Sequence, residues 1–290
     1  MSLRDVYCME KLKAKKSLGQ NFLKDYTIVD RIVEDANLTD EDVVIEIGPG
    51  TGVLTGKLVE VCKKVIAIEL DDRLIPILQE KFKDNKKVVI IHGDILKINL
   101  PELLTTYNTQ HTTYKVVANI PYYITAPIVR LLLETKYPPS EVILMVQKEV
   151  AERICAVAGE MSILAVAVQY YADVEYLFTV SRAAFEPAPK VDSAVLKISS
   201  LLSSSFGRGC PEDRRGYTAS KEETKKFFRI VRAGFSAKRK TLANNLSNGL
   251  QLDKNEIEEK LSALGFSKNT RAQELEVEDW KRLTDSFTSF

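Results

Sequence analysis

The residues with the clearest chemical potential follow a predicted strand, Tyr114 to Ala118, in the sequence Asn119-Ile120-Pro121-Tyr122. A loop at the carboxyl end of a strand lies where open α/β sheets bind ligands. The Asn119 side-chain oxygen and the Ile120 carbonyl can both accept hydrogen bonds from one exocyclic amine, and Tyr122 offers a ring face to an unstacked base. This combination favours an aromatic amine such as N6 of adenine. A proline turn packed by two tyrosines is the structural alternative.

A glycine-rich loop earlier in the chain indicates which cofactor would react with the amine. The apolar run Val43 to Ile47 ends in Gly48-Pro49-Gly50-Thr51-Gly52 and leads into helix-spaced leucines, as a buried strand, turn and helix would. Such a turn lets a ligand approach the backbone closely. The next predicted strand ends in Glu69, which can accept hydrogen bonds from ribose hydroxyls. Gly-x-Gly-x-Gly preceded by Glu46 is closer to an S-adenosylmethionine (SAM) loop than to a dinucleotide loop, whereas a purely structural glycine turn is the alternative.

Two further residues extend this interpretation. Asp94 follows the predicted strand Val88 to Ile91 and can accept from the exocyclic amine of an adenine, although a turn-capping aspartate is the alternative. Phe185 lies in a proline-rich loop between two predicted strands and would sandwich a flipped base opposite Tyr122.

Two hydrogen-bond acceptors on the adenine amine favour a pyramidal nitrogen whose lone pair faces the sulfonium methyl. Positioning is then enough, and no strong base is needed.

The alternation of strands and helices predicts an α/β fold with an open, Rossmann-like sheet of the class I SAM-dependent methyltransferase type. We expect this catalytic domain, with a basic N-terminal arm, to span residues 1–200. A serine- and glycine-rich linker follows at 201–220, and a small α-helical domain that binds RNA occupies 221–290.

The charge distribution suggests a polyanionic partner. The 290 residues carry a net charge of only +1, but basic residues concentrate at the start of the chain and between residues 221 and 240. The four cysteines lack metal-ligand spacing, and no apolar run is long enough to span a membrane or resembles a signal segment. These features predict a cytoplasmic protein with no metal and no membrane partner. The candidate phosphate contacts are Lys15, Lys16, Lys190, Lys238, Arg239 and Lys240.

Five segments, in this order, make the chain similar to the KsgA family of ribosomal RNA adenine N6,N6-dimethyltransferases over almost its whole length. They are Leu18-Gly-Gln-Asn-Phe-Leu23, Glu46-Ile-Gly-Pro-Gly-Thr-Gly52, Asn119-Ile-Pro-Tyr122, Phe185-x-Pro-x-Pro-Lys-Val-Asp-Ser193 and Phe235-x-x-Lys-Arg-Lys-Thr-Leu-x-Asn-Asn-Leu246. The resemblance implies transfer of two methyl groups to each of two adjacent adenosines near the 3′ end of small-subunit (16S) rRNA.

The resemblance also implies the cofactor, the partner and the contacts. SAM would be the methyl donor, and the immature small ribosomal subunit would be the partner of a monomeric enzyme with a role in subunit biogenesis. Asn21 and Leu23 would close over the cofactor from the N-terminal arm. The residues implied to contact SAM are Asn21, Leu23, Gly48, Glu69, Asp94 and Asn119, with Gly50 in the same loop.

Two departures and two alternatives accompany this interpretation. Met161 to Val166 is apolar where the family has a more polar stretch, and Lys238-Arg239-Lys240 replaces the family's Arg-Arg-Lys, which removes one bidentate phosphate donor. An Erm-type large-subunit rRNA methyltransferase shares the Asn-x-Pro-Tyr loop, but the segment Phe235 to Leu246 favours the KsgA side. A non-catalytic ribosome-assembly factor is the alternative from another class, and the intact loop at Asn119 argues against it.

Overall fold

The structure, a computed structural model, describes residues 14–107, 113–199 and 220–287. The start of the predicted basic arm and almost all of the predicted linker, residues 201–219, lie outside these ranges. No helix in the described part of the chain combines the length and apolar character needed to span a bilayer.

The core of the first part of the chain is a seven-stranded sheet with the order β4-β3-β2-β5-β6-β9-β7. Neighbouring strands from β4 to β6 pair in parallel, whereas β9 runs antiparallel to both β6 and β7. A separate two-stranded ribbon pairs β1 with β8. The strands are β1 Phe22–Leu23, β2 Val43–Ile47, β3 Lys64–Glu69, β4 Val88–His92, β5 Tyr114–Asn119, β6 Glu141–Gln147, β7 Asp173–Val180, β8 Phe185–Glu186 and β9 Ser193–Ser199.

Burial explains why these segments form strands. All five residues of β2 are buried, and so are the last five of β3, as expected for central strands of a parallel sheet covered on both faces. The predicted α/β fold is confirmed. Glu46 is the one charged residue in β2, and it is 1% exposed.

Eleven α-helices occur among the described residues. They are α1 Tyr26–Asp35, α2 Val53–Val61, α3 Ile75–Phe82, α4 Leu100–Thr106, α5 Thr125–Glu134, α6 Lys148–Ile154, α7 Ile163–Tyr171, α8 Lys221–Gly234, α9 Leu242–Leu250, α10 Lys254–Ala263 and α11 Val277–Asp285. Helix α4 was not predicted, although Asn99 before Leu100-Pro101-Glu102 is a helix-start signal. The Asn99 side chain caps this helix by accepting from the Glu102 amide at 3.4 Å.

The chain divides into two compact units. One contains residues 1–151 and 172–205, and the other contains 152–171 and 206–290. Residues 152–171 were expected in the catalytic domain, but they group with the C-terminal helices. The reason is the apolar surface of α7, whose Val166 and Tyr170 pack with Phe227 and Val231 of α8. The Tyr170 and Phe227 rings lie 4.3 Å apart between centroids.

Candidate functional site

The glycine-rich loop between β2 and α2 forms one wall of the candidate site. Gly50 has a φ of 59° and Gly52 a φ of 72°, which L side chains rarely adopt, so this turn depends on glycine. A Cβ on Gly52 would lie 2.8 Å from the Phe82 ring. The Lys81 ammonium donates to the Thr51 and Gly52 carbonyls, each at 3.0 Å, and thereby fixes the loop from the side of α3.

Glu69 is the acidic residue at the end of the strand after the glycine loop, as predicted. Glu69 ends β3, and its carboxylate accepts from the Gly50 amide at 3.0 Å and from the Asp71 amide at 2.8 Å. Burial raises the pKa of Glu69. A carboxylate has about four acceptor positions, so Glu69 keeps acceptor capacity for a ligand's hydroxyl groups.

A cavity opens where β2 and β5 end. It is lined by most of the predicted site residues, and the predicted residues among its walls are Asn21, Leu23, Gly48, Gly50, Asn119, Ile120, Pro121, Tyr122 and Phe185. Neither Glu69 nor Asp94 belongs to this lining. The structure therefore brings the arm, the glycine loop and the Asn119 loop around one space, with Glu69 linked to it through the Gly50 amide.

Asp94 makes the contacts of a turn cap. One carboxylate oxygen accepts from the Leu96 amide at 3.0 Å, and the other lies 3.6 Å from the Lys97 ammonium. The Gly93 amide donates to the Glu69 carbonyl at 2.8 Å, so the turn adjoins the end of β3. The capping alternative accounts for these contacts, and a contact between Asp94 and cofactor stays a prediction.

The Asn119 loop is anchored on both sides of its aromatic residue. Asn119 ends β5 beside the glycine loop, and its carbonyl lies 3.9 Å from where a Cβ on Gly48 would be. The half-buried Tyr122 shares a 2.7 Å hydrogen bond with Ser193 of β9, and burial raises its pKa. The phenol of Tyr122 therefore stays neutral, and its hydrogen bond to Ser193 fixes the position of the ring in the cavity wall.

Phe185 lies in a short buried strand rather than in an open loop. Phe185 is only 2% exposed, because β8 pairs with β1 and places Leu23 opposite Phe185. Its ring belongs to the apolar cluster beneath the N-terminal arm and still lines the cavity. A base stacked on it would have to enter the cavity itself rather than rest on an exposed loop.

Glu46 is a site residue that the sequence analysis did not select. It lines the cavity, and its carboxylate accepts from the Thr55 hydroxyl at 2.6 Å. Burial, reinforced by the nearby Glu69 carboxylate, raises the pKa of Glu46 to about 8. The available signal was a single charged residue inside an otherwise apolar strand. Burial beside Glu69 keeps the Glu46 carboxyl largely neutral near pH 7 in the ligand-free protein, and a ligand that carries positive charge, as SAM does on its sulfonium and ammonium groups, would favour the ionised form.

The predicted RNA-binding residues fall into two groups. Lys190 is exposed, but Lys15 makes ion pairs with Asp71 at 3.6 Å and Asp72 at 3.7 Å, and the side chain of Lys16 lies outside the described part of the structure. In the other unit the predicted residues Lys238, Arg239 and Lys240 are all exposed on the turn between α8 and α9.

That basic turn has a buried anchor. Asn245 of α9 is 2% exposed, and its side-chain amide donates to the Gly234 carbonyl at 2.6 Å and to the Ala237 carbonyl at 3.0 Å. Asn245 belongs to the segment Phe235 to Leu246, and its role depends on a fold that the segment alone does not reveal. The two hydrogen bonds fix the shape of the turn that carries the basic side chains.

The fold and the site together define a class of protein. A parallel sheet with an antiparallel edge, a glycine loop, an acidic strand end and an Asn-x-Pro-Tyr loop at one cavity characterise a SAM-dependent methyltransferase acting on a nucleobase amine. The chain belongs to the ribosomal RNA adenine dimethylase family, whose model matches residues 11–289. The predicted family, enzyme class and cofactor are confirmed by this membership.

Relatives match the chain over nearly its whole length. It is 41% identical over 272 residues to the ribosomal RNA small subunit methyltransferase A of Dehalococcoides mccartyi, covering 94% of this chain and 88% of that protein. It is 40% identical to the protein of the same name from Clostridium botulinum, with 98% of both chains covered.

Two solved structures show the same fold. The dimethyladenosine transferase of Plasmodium falciparum matches with a TM-score of 0.72 and 28% identity, over 90% of this chain and 95% of that one. The 23S rRNA methyltransferase ErmE matches with a TM-score of 0.71 and 26% identity, over 91% and 98%.

Proposed function

We propose that the protein transfers methyl groups from SAM to N6 of two adjacent adenosines near the 3′ end of small-subunit rRNA, giving N6,N6-dimethyladenosine. The observation that carries the proposal is the meeting of Asn119, Ile120 and Tyr122 with the glycine loop around one cavity. The names and full-length similarity of the relatives support the small subunit as the source of the RNA.

The site residues divide the work between binding and positioning. Glu69, with Gly48 and Gly50, would hold the nucleoside part of SAM, and the Glu46 carboxylate would face positive charge within the cavity. Bound SAM supplies an electrophilic methyl group. Asn119 and the Ile120 carbonyl accept from the two N–H groups of the adenine amine, which directs the nitrogen lone pair toward that methyl.

Tyr122 orients the adenine rather than exchanging protons. Because its hydroxyl is shared with Ser193 at 2.7 Å and burial raises its pKa, the phenol stays neutral and the ring stays in place. A fixed ring face suits stacking with a base that has left its helix. Phe185, buried in the wall, would bound the same space on another side.

The exposed basic residues supply the RNA contacts in this proposal. Lys190 in one unit and Lys238, Arg239 and Lys240 in the other would contact phosphates, which position RNA without reading its sequence. Lys15 is a weaker candidate because it is engaged with Asp71 and Asp72. We further propose a monomer that acts in the cytoplasm on immature small subunits and requires no metal.

An Erm-type activity on large-subunit RNA is the second candidate, and the match to ErmE over 91% of the chain favours it. Radiolabelled methyl transfer separates the two. Purified undermethylated small subunits and protein-free large-subunit rRNA are incubated in parallel with labelled SAM. Label on small subunits alone supports the proposal, and label on the large-subunit RNA supports the Erm-type enzyme. Binding to small subunits without label on either RNA would indicate an assembly factor.

A further inference from the structure

Asp71, two residues beyond Glu69, is a buried carboxylate that does not line the cavity. Its side chain is fully buried and accepts from the Arg73 guanidinium at 2.9 Å to one oxygen and 2.6 Å to the other. The Gln20 side chain donates to it at 2.8 Å. The Arg73 guanidinium, helped by the Gln20 amide, holds the pKa of Asp71 well below its usual range. The carboxylate therefore remains charged throughout the physiological pH range.

Gln20 belongs to the N-terminal arm, and its side-chain amide has one satisfactory orientation. Its oxygen accepts from the Lys15 amide at 2.7 Å and faces the Arg73 guanidinium at 3.4 Å. Its nitrogen faces the Asp71 carboxylate. If the amide were flipped, its oxygen would face the Asp71 carboxylate and its nitrogen would face the Lys15 and Arg73 donors. These contacts, with the Lys15–Asp71 ion pair at 3.6 Å, attach the arm to the carboxyl end of β3.

Glu69, the residue predicted to bind the cofactor ribose, lies at the same end of β3. The Asp71 amide donates to Glu69 at 2.8 Å, and the other Glu69 oxygen accepts from the Gly50 amide. Further along the arm, the Phe22 ring covers Gly50, where an added Cβ would lie 3.4 Å from it. Gln20 itself and the neighbouring Asn21 both line the cavity.

We propose that Gln20 and Asp71 are positioning residues whose hydrogen bond holds the N-terminal arm over the cofactor cavity. Asn21 and Leu23 then stay closed over SAM only while this attachment is intact. Because Asp71 also contacts Glu69, occupancy of the cofactor site and closure of the arm stabilise each other. The inference rests on the SAM site and does not depend on which RNA is methylated.

The test is SAM binding by calorimetry, without RNA, in the full-length protein and the isosteric variant Gln20→Glu. The added carboxylate faces Asp71, so the SAM dissociation constant should rise about tenfold, as expected for loss of one hydrogen bond to a charged group. The double variant Gln20→Glu with Asp71→Asn removes the repulsion between two carboxylates and should bind SAM more tightly than Gln20→Glu alone, with recovery limited by the loss of one acceptor for the Arg73 guanidinium. Gln79→Glu, on the exposed face of α3, adds the same charge as a matched control and should bind like the wild type.

Turnover measurements exclude a merely structural role. The KM for SAM should follow the dissociation constant in Gln20→Glu, while kcat at saturating SAM stays within about twofold. Gln20→Ala, which adds no charge, should also raise the dissociation constant for SAM, because it removes the same hydrogen bond. Wild-type affinity in Gln20→Glu, or no recovery in the double variant, would overturn the proposal. A wild-type protein that binds no SAM would instead contradict the cofactor site itself.

Discussion

Single side chains determine the chemistry of this site, and burial decides how each of them behaves. Asn119 and Tyr122 could be selected from the sequence because a polar, proline-containing loop after an apolar strand has a known position in an α/β sheet. The burial of Phe185 could not be predicted, because it depends on the pairing of β1 with β8, which lie 162 residues apart in the Leu23–Phe185 register. The Gln20–Asp71 contact likewise joins residues distant in sequence.

Asn119→Ala should lower methyl transfer far more than it weakens SAM binding. The variant removes an acceptor for the adenine amine, and loss of one such preorganised group costs about 10²–10³ in kcat. Asn119→Asp keeps an acceptor oxygen and should retain measurable turnover. Single-turnover transfer, together with calorimetry for SAM, checks both expectations. Undiminished transfer in Asn119→Ala would remove this residue from the mechanism.

Glu46 should make the stability of the ligand-free protein depend on pH. Its pKa rises from an ordinary 4.5 to about 8 on folding, because the carboxyl group is buried. Between these values the folded state binds more protons than the unfolded state, so the free energy of unfolding falls as pH rises. Below 4.5 the carboxyl is protonated in both states, and above about 8 it is ionised in both.

The comparison that isolates this effect is wild type against Glu46→Gln, unfolded in urea across that pH range. The wild type should lose stability relative to the variant by up to about 1.4 kcal/mol per pH unit, the limit for one proton. Parallel pH profiles for the two proteins would show that Glu46 does not bind the proton on folding.

Helices and strands bring the site residues together, and the sequence predicted most of them. Alternating apolar runs and turns locate β2 to β6, whereas α4 was missed because it is short and its cap signal stood alone. The glycine loop depends on α3 as well as on its own residues, since Lys81 fixes two of its carbonyls. This dependence could not be predicted from the loop motif alone.

Gly52 and Gly56 provide a matched pair at the start and within α2. Gly52→Ala would strain a φ of 72° and bring a methyl group 2.8 Å from the Phe82 ring. It should cost roughly 1–3 kcal/mol of stability and weaken SAM binding. Gly56→Ala meets no atom within 4 Å and lies within the helix. It should stabilise the protein by roughly 0.5–1 kcal/mol. Urea unfolding of both variants measures the difference, and equal effects would contradict this account of the loop.

The whole molecule combines two compact units, and composition alone located only part of this organisation. The serine- and glycine-rich stretch marked the boundary near residue 200, but residues 152–171 group with the C-terminal unit. Helical periodicity shows that α7 has an apolar face without showing which neighbour covers it. Net charge was similarly uninformative, because a value of +1 conceals the basic turn at Lys238 to Lys240.

Replacing Lys238, Arg239 and Lys240 together with Ala should weaken RNA binding and reduce its salt dependence. Removing one phosphate contact lowers the slope of log affinity against log salt by about 0.7–0.9. The control replaces the exposed Lys63, Lys83 and Lys86, which removes the same charge elsewhere. Filter binding of small-subunit RNA between low and moderate salt measures both slopes. A slope unchanged in the first variant, or equally changed in the control, would remove the basic turn from the RNA interface.

Mass spectrometry of small-subunit rRNA fragments, after reaction with the protein and SAM, tests both the methylated atom and its position in the RNA. We expect N6,N6-dimethyladenosine at two adjacent positions in one fragment near the 3′ end, and far less of this product with Asn119→Ala. Dimethyladenosine elsewhere in ribosomal RNA, or methylation at an atom other than N6, would contradict the proposed function.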